Sequence, residues 1–373
     1  MKKNLIIAPN SFKECADSTE IAELITSNFN AQFFDIQSFP LSDGGDGFLS
    51  VCKKKFNTKT ILINIPKPYG FGSFDVPSEY SDTSKTLYIE SAKVLGLNII
   101  PPDERKPALL NSKGLGVLIN KAANLLPELK KISIGIGGTG TNDFGIGAAS
   151  ECGLKLLDGN DIEIKPLPVN YINAAKLVMP ANKYKFVFEA VVDVDNRLLG
   201  KQGATRTFAR QKGASDEEIE VMEKGFENIC NLLKTNSIIT SPDNLNGAGG
   251  GLAAGLQVFF NAKLKFSRDF IFTDLGINSI HKNGNIVITG EGKFDLQSLM
   301  DKAPGVIIDY FTNSDSEVYV ICGIAETEVL KKLPANVKVI EMTKYFSSGA
   351  ESIKEFKTGI KKACKEIQNF VII

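Results

Sequence analysis

The stretch Val287-Ile-Thr-Gly-Glu-Gly-Lys-Phe-Asp295 gathers an apolar run, two glycines and two carboxylates into nine residues. Glycines there predict a sharp turn and close backbone approach to a ligand, at Gly290 and Gly292. Glu291 and Asp295 could hold a divalent metal or an attacking hydroxyl. Three other stretches share the design: Ser42-Asp-Gly-Gly-Asp-Gly47, Gly135-Ile-Gly-Gly-Thr-Gly-Thr-Asn-Asp143 and Val192-Asp-Val-Asp-Asn196. Each sets acids or glycines directly after an apolar run, as an enzyme handling phosphate with a metal would.

Gly135 to Gly140 satisfies the dinucleotide pattern G-x-G-x-x-G after a strand-like run. A nicotinamide-dependent oxidoreductase would use it so, although Gly145 and Gly147 weaken the helix such a fold needs next. Consecutive amides in a glycine-rich turn can instead cradle a phosphate or carboxylate, and glycines also serve plain close packing. Asp193 and Asp195 alternate at a strand end, which predicts both carboxylates on one side, suited to a metal or a base. Asp43 and Asp46 flank Gly44 and Gly45 before a helical run, so one of them could be a helix cap. Lys13 follows Ala8-Pro-Asn-Ser-Phe12, just beyond the carboxyl end of a first strand, where open α/β sheets bind ligands. Lys212 and Lys302 sit beside glycine or proline in expected loops. Asn246 to Gly255 reads either as a phosphate-facing helix start or as close helix packing. A Walker A loop is absent from the sequence.

Elements able to position these residues alternate along the chain as apolar runs and helical stretches, the pattern of an α/β protein with parallel sheets. Leu5–Ala8 and Phe33–Gln37 at one end, and Ile286–Thr289, Val318–Cys322 and Val337–Glu341 at the other, could complete a five-stranded, flavodoxin-like sheet. Helices are expected at Ser18–Asn28, Phe48–Lys55, Leu296–Phe311, Glu326–Leu333 and Ser352–Ile367. The expected organisation is a flavodoxin-like domain of residues 1–65 and 284–373, interrupted by a second α/β domain of residues 66–283. Turn-rich Pro66–Gly70 and His281–Gly284 mark the crossings.

The chain has 373 residues, enough for two domains. Its 43 basic and 43 acidic residues balance without charge blocks, which disfavours nucleic acid or a membrane surface as partner. A small molecule is the expected ligand, with a homodimer as the candidate assembly. The apolar run at the start is too short for a signal peptide, so a cytoplasmic protein is expected. Six scattered cysteines without a Cys-x-x-Cys pair read as reduced packing residues, and a single histidine, His281, makes histidine triads improbable.

Taken in order, Ala8-Pro-Asn-Ser-Phe-Lys13, Leu41 to Gly47, Gly135 to Asp143, Asp193-Val-Asp-Asn196 with Leu198-Leu-Gly200, Gln211-Lys-Gly-Ala214, Gly247 to Gly255 and Ile288 to Ser298 resemble the glycerate kinase type-1 family. The likeness spans nearly the whole chain. It implies ATP-dependent phosphorylation of D-glycerate with Mg2+, the product generally being 2-phosphoglycerate. A kinase for a related sugar acid and a non-catalytic sugar-acid-binding paralogue are the alternatives. On this reading Asp193 or Asp195 is base or metal ligand, and Glu291 and Asp295 support magnesium. Lys13 and Lys302 stabilise the transferring phosphoryl group or bind the glycerate carboxylate. Amides of Gly137, Gly138 and Gly140 cradle an anion beside Thr139, while Asn142 and Asp143 orient one end of substrate or nucleotide. Asn10, Ser11, Asp43, Gly44, Gly45, Lys212, Gly290 and Gly292 complete the expected contacts. The chain departs from the family pattern at Asn10 (usually aspartate), Glu14 (usually glycine), Lys113-Gly-Leu-Gly116 (usually Tyr-Gly-Thr-Gly) and Arg210 (usually proline), which bears on substrate more than on fold.

Overall fold

In the computed structural model, which describes residues 2–181, 184–193, 195–300 and 302–371, the strands in chain order are β1 (Lys3–Ile7), β2 (Phe34–Ser38), β3 (Lys59–Pro66), β4 (Ser73–Ser81), β5 (Thr86–Glu90), β6 (Lys131–Ile136), β7 (Lys155–Leu157), β8 (Lys176–Val178), β9 (Val187–Val192), β10 (Lys263–Phe266), β11 (Asn285–Phe294), β12 (Glu317–Ala325) and β13 (Val337–Glu341). The chain divides into two units, residues 1–55 with 266–373 and residues 56–265.

The first unit carries a five-stranded parallel sheet in the order β2-β1-β11-β12-β13. Counted within the unit this is 2-1-3-4-5, the flavodoxin-like order expected from the two ends of the sequence. Leu5–Ile7, Val287–Ile288 and Val318–Cys322 are buried without alternation because helices cover both faces of a parallel sheet. Ile21 and Ile25 of the helix Ser18–Ser27, and Ile360 and Ile367 of the helix Phe356–Val371, pack on one face against Leu5, Ile288 and Ile321. Asp17 starts the first of these helices by accepting from the amides of Thr19 and Glu20, each at 2.9 Å.

The second unit holds a six-stranded sheet in the order β10-β9-β6-β5-β4-β3, with β5, β6 and β9 parallel and β3-β4-β5 an antiparallel meander. Its core gathers Ile132, Ile134 and Ile136 of β6 with Leu87, Leu118, Phe144 and Phe226.

The crossings lie at 55/56 and 265/266, away from both turn-rich stretches. Pro66–Gly70 runs into the tip of the β3–β4 hairpin, where Lys67 N donates to Gly72 O at 3.1 Å. His281–Gly284 is an exposed turn entering β11, preceded by a segment whose Phe270 and Ile271 are already buried in the first unit. The expected helix Leu296–Phe311 is two pieces, a 3-10 turn at Leu296–Leu299 and a helix at Ala303–Phe311. Pro304 accounts for the break, since it lacks the donor an interior turn requires but fits a first turn. Glu326–Leu333 shortens to Thr327–Leu330, and the last helix is split between Gly349–Lys354 and Phe356–Val371. Five of the six cysteines are buried, as packing residues would be.

Candidate active site

In the first unit the candidates collect at the carboxyl end of the parallel sheet. Past β1, Asn10 is buried; its amide donates to Gly290 O at 2.9 Å and its Oδ1 accepts from Ser11 N at 2.9 Å. Asn10 Nδ2 donates to Asp43 Oδ2 at 3.2 Å, and Leu41 N donates to Pro9 O at 2.9 Å, tying the two loops together. Asp43 Oδ1 also accepts from Gly45 N at 3.2 Å, while Gly44, at φ 97°, donates its amide to Ser42 Oγ at 3.2 Å. Lys13 is exposed beside the buried Phe12.

Gly290 and Gly292 do not make a turn. Strand β11 continues through both as far as Phe294, and what they supply is closeness. A Cβ on Gly290 would stand 2.0 Å from the carbonyl oxygen of Ile321, and one on Gly292 would stand 3.3 Å from the amide of Lys13. Between them Glu291 is only 8% exposed, and its Oε1 has no hydrogen-bond partner among the described residues. Burial pushes its carboxyl up to about 7; the Ser298 hydroxyl and Lys302 pull it down, and Asp43 and Asp295 push it further up. Lys302 stands at the N-cap of the helix Ala303–Phe311, adding its charge to that helix start. Asp295 is spent largely on structure: its Oδ1 accepts from the amides of Gln297 at 3.0 Å and Ser298 at 3.2 Å, and Lys293 Nζ lies 3.5 Å from its Oδ2.

These residues fit a magnesium ion of a particular kind. Among the described residues no group of three His, Cys, Asp or Glu could hold a metal alone. A buried carboxylate oxygen without a partner, with two further acids in its field, suits an ion that takes one or two carboxylates and completes its shell with phosphate and water.

The second unit treats its candidates differently. Gly137 donates its amide to Ser91 Oγ at 3.0 Å and Gly140 donates to Leu95 O at 2.7 Å, so two of the three expected cradle amides are engaged internally. Gly138, at φ 63°, is left as the candidate amide. Asp143 is fully buried; its Oδ2 accepts from Ser112 N and Oγ, both at 2.7 Å, and from Gly147 N at 3.0 Å, and its Oδ1 accepts from Gly145 N at 3.2 Å. That carboxylate holds the loop rather than presenting itself to a ligand. Asn142 Nδ2 donates to Thr205 Oγ1 at 3.1 Å, and Lys212 Nζ donates to Thr139 Oγ1 at 3.2 Å and Thr141 O at 2.7 Å. Lys212, expected in a loop, closes a short helical turn and is 3% exposed.

The helix after the glycines spans only Ile146–Glu151, so the long helix of a dinucleotide site does not start at Gly140. Gly249, Gly250 and Gly251 all have positive φ and precede the helix Leu252–Phe260. Their closeness is to the neighbouring loop: a Cβ on Gly250 would lie 2.4 Å from Thr141 O, and one on Gly251 would lie 3.0 Å from the Cα of Phe144. Strand β9 ends at Val192, so Asp193 and Asp195 lie past it and strand alternation does not set their directions. Asp193 is half-buried and Asp195 exposed; Val194 lies outside the described residues.

Ser91, Ser112 and Ser298 went unnoticed in the sequence. The spacing Asp295-x-x-Ser298 is a capping box and could have flagged the last, whereas the partners of Ser91 and Ser112 are far away in sequence.

A flavodoxin-ordered sheet with a buried acid and a lysine at its carboxyl end is the candidate site of an α/β enzyme. The family model described as "Glycerate kinase family" matches residues 5–372. A protein of Escherichia coli (strain K12) named glycerate 2-kinase is 33% identical over 306 residues, 80% of each chain. A glycerate kinase of Neisseria meningitidis serogroup B is 31% identical over 340 residues, 88% of each chain. The crystal structure described as a putative glycerate kinase 2 from Salmonella typhimurium LT2 superposes with a TM-score of 0.80 at 26% identity, covering 99% of this chain and 98% of that one. The chain therefore belongs to the glycerate kinase family and is a phosphotransferase.

Proposed function

We propose that this enzyme transfers the terminal phosphoryl group of ATP to a hydroxyl of D-glycerate, releasing ADP and 2-phosphoglycerate. The observation that carries this reading is Glu291, a buried carboxylate with an unpartnered oxygen and the charge of Lys302 nearby, at the carboxyl end of a flavodoxin-ordered sheet. The name of the Escherichia coli relative favours the 2-position for the product.

Glu291, helped by Asp295, would hold Mg2+, which when bound neutralises phosphate charge. Lys302 and Lys13 offer cations to the transferring phosphoryl group or the glycerate carboxylate. Asn10 fixes Asp43 through its amide, and Ser11 N is held by Asn10 Oδ1, so this loop has a set shape before ligand arrives. Asp193 or Asp195 accepts the proton of the attacking hydroxyl. Lys212 and Asp143 act from inside the second unit, shaping the loop of Thr139 and Asn142. We place the reaction in the cytoplasm, where ATP is at hand; no helix of the described residues is long and apolar enough to cross a membrane.

The test is incubation with magnesium, ATP and D-glycerate, following ADP and identifying the product by phosphorus NMR. A 2-phosphoglycerate signal is expected. A 3-phosphoglycerate signal overturns the position of transfer, and no turnover with D-glycerate overturns the substrate.

A further inference from the structure

Lys212 holds a buried amine that the reaction above does not use. It closes the helical turn Arg210–Lys212 and points its amine inward, onto Thr139 Oγ1 and Thr141 O. An ammonium has three protons to donate, and two are placed. In the same turn Thr141 Oγ1 and Asn142 Oδ1 are buried without a hydrogen-bond partner. Gly250 leaves the amine its room, since a Cβ there, at φ 70°, would be 2.8 Å from Nζ; Gly213, at φ 102°, instead lets the end of the turn approach Arg105, where a Cβ would be 2.2 Å from its carbonyl oxygen.

The acid facing this amine is Asp143, whose carboxylate is taken up by Ser112, Gly145 and Gly147. Arg105, packed against Gly213, turns its guanidinium to the carbonyls of Ile100 and Leu97. Among the described residues no carboxylate makes a hydrogen bond to Lys212. Burial accordingly pushes the amine down to about 7, and Asp143 lifts it only in part. A buried cation short of a counter-charge is stabilised by an anion arriving nearby.

On the reading that this enzyme phosphorylates an organic acid, we propose that Lys212 is a positioning residue whose amine takes up a proton when an anionic group docks on the Thr139–Asn142 turn. The charged form fixes Thr139 Oγ1 and Thr141 O, and thereby the face the turn offers to its ligand. Two ligand groups share this chemistry, the carboxylate of glycerate and the phosphates of the nucleotide. By linkage, affinity for the group that docks there rises as pH falls toward 7.

Calorimetric titration of the wild-type protein at pH 8, in two buffers of different ionisation enthalpy, tests this with two probes. These are D-glycerate alone and the magnesium complex of a non-hydrolysable ATP analogue alone. The probe that docks on the turn should show buffer-dependent heat corresponding to uptake of up to about 0.9 proton. Lys212→Met should abolish that uptake and raise KM for the same ligand roughly tenfold with kcat changed less than about threefold. Binding with equal heats in both buffers overturns the proposal, as does unchanged uptake in Lys212→Met or no binding of either probe. Turnover of D-glycerate by the wild type, measured beside it, shows whether the kinase reading stands or falls separately.

Discussion

Glu291 in the first unit and Lys212 in the second are buried groups of opposite sign displaced toward the same pH. Burial lifts the acid from 4.5 to about 7 and lowers the amine from 10.5 to about 7. Their surroundings differ in kind. Glu291 ends with an unpartnered oxygen next to Asp43, Asp295 and Lys302, a cluster of charges waiting for another charge. Lys212 is wrapped by loop oxygens and glycines that leave no space for a side chain. One unit buries an acid with an open oxygen among other charges, and the other buries an amine inside a glycine-walled loop scaffold.

The largest effects should come from removing one acid of each unit, Asp193 of the second and Glu291 of the first. Asp193→Asn is expected to lower kcat about a thousandfold with an unchanged circular dichroism spectrum; unaltered kinetics would reject Asp193 as the base. Glu291→Gln should lower kcat/KM by roughly a hundredfold and raise the magnesium concentration needed for half-maximal rate. If only the rate falls and the magnesium requirement stays, Glu291 does not hold the ion. Gly290→Ala should act on folding, because a methyl 2.0 Å from Ile321 O forces apart two central strands. A loss of about 3 kcal/mol in urea unfolding is expected.

Stability against pH sharpens the contrast further. The folded state holds a proton on Glu291 that the unfolded chain releases near 4.5, so this group's contribution to stability falls as pH rises from 4.5 to about 7. Lys212 works in the other direction: the folded state gives up its proton near 7 while the unfolded chain keeps it to 10.5, so its contribution rises across that window. Glu291→Gln should flatten the acid limb of a urea-unfolding series and leave the alkaline limb as it was. Both limbs unchanged would mean that Glu291 is not displaced.

Strands were legible because parallel sheets write continuous apolar runs, as in Leu5–Ala8 and Val318–Cys322, and the flavodoxin-like order followed from having two such runs at one end and three at the other. Glycines were legible as places of special backbone but not as to which kind. Gly290 and Gly292 are extended and serve strand and loop proximity, whereas Gly250 and Gly251 are left-handed and serve loop packing. Only the neighbour decides, and the neighbours Ile321 and Phe144 are set by tertiary structure. For the same reason Asp143 looked like a ligand contact, while in the fold Ser112, thirty-one positions away, takes up its Oδ2. Turn-rich Pro66–Gly70 was misread because a hairpin tip and a domain crossing use the same residues.

Glu14 offers the smallest effect and a direct check on how the first loop was altered. The chain reverses here within the Phe12–Ala16 bridge, where Phe12 N donates to Ala16 O at 2.9 Å, and Glu14 sits at φ 66°. That is left-handed backbone, in which a side chain crowds the following carbonyl at a cost of about 1 kcal/mol and glycine does not. The usual glycine of the family pattern is thus what this geometry prefers, and its replacement is a local cost carried beside the exposed Lys13. Glu14→Gly should raise stability by up to about 1 kcal/mol, partly offset by the greater freedom of the unfolded glycine chain. Because it also removes a negative charge one residue from Lys13, it should lower KM for the anionic ligand that Lys13 meets, and more so at low ionic strength. A stability gain with KM unchanged at every salt concentration would separate Lys13 from anion binding while keeping the loop geometry.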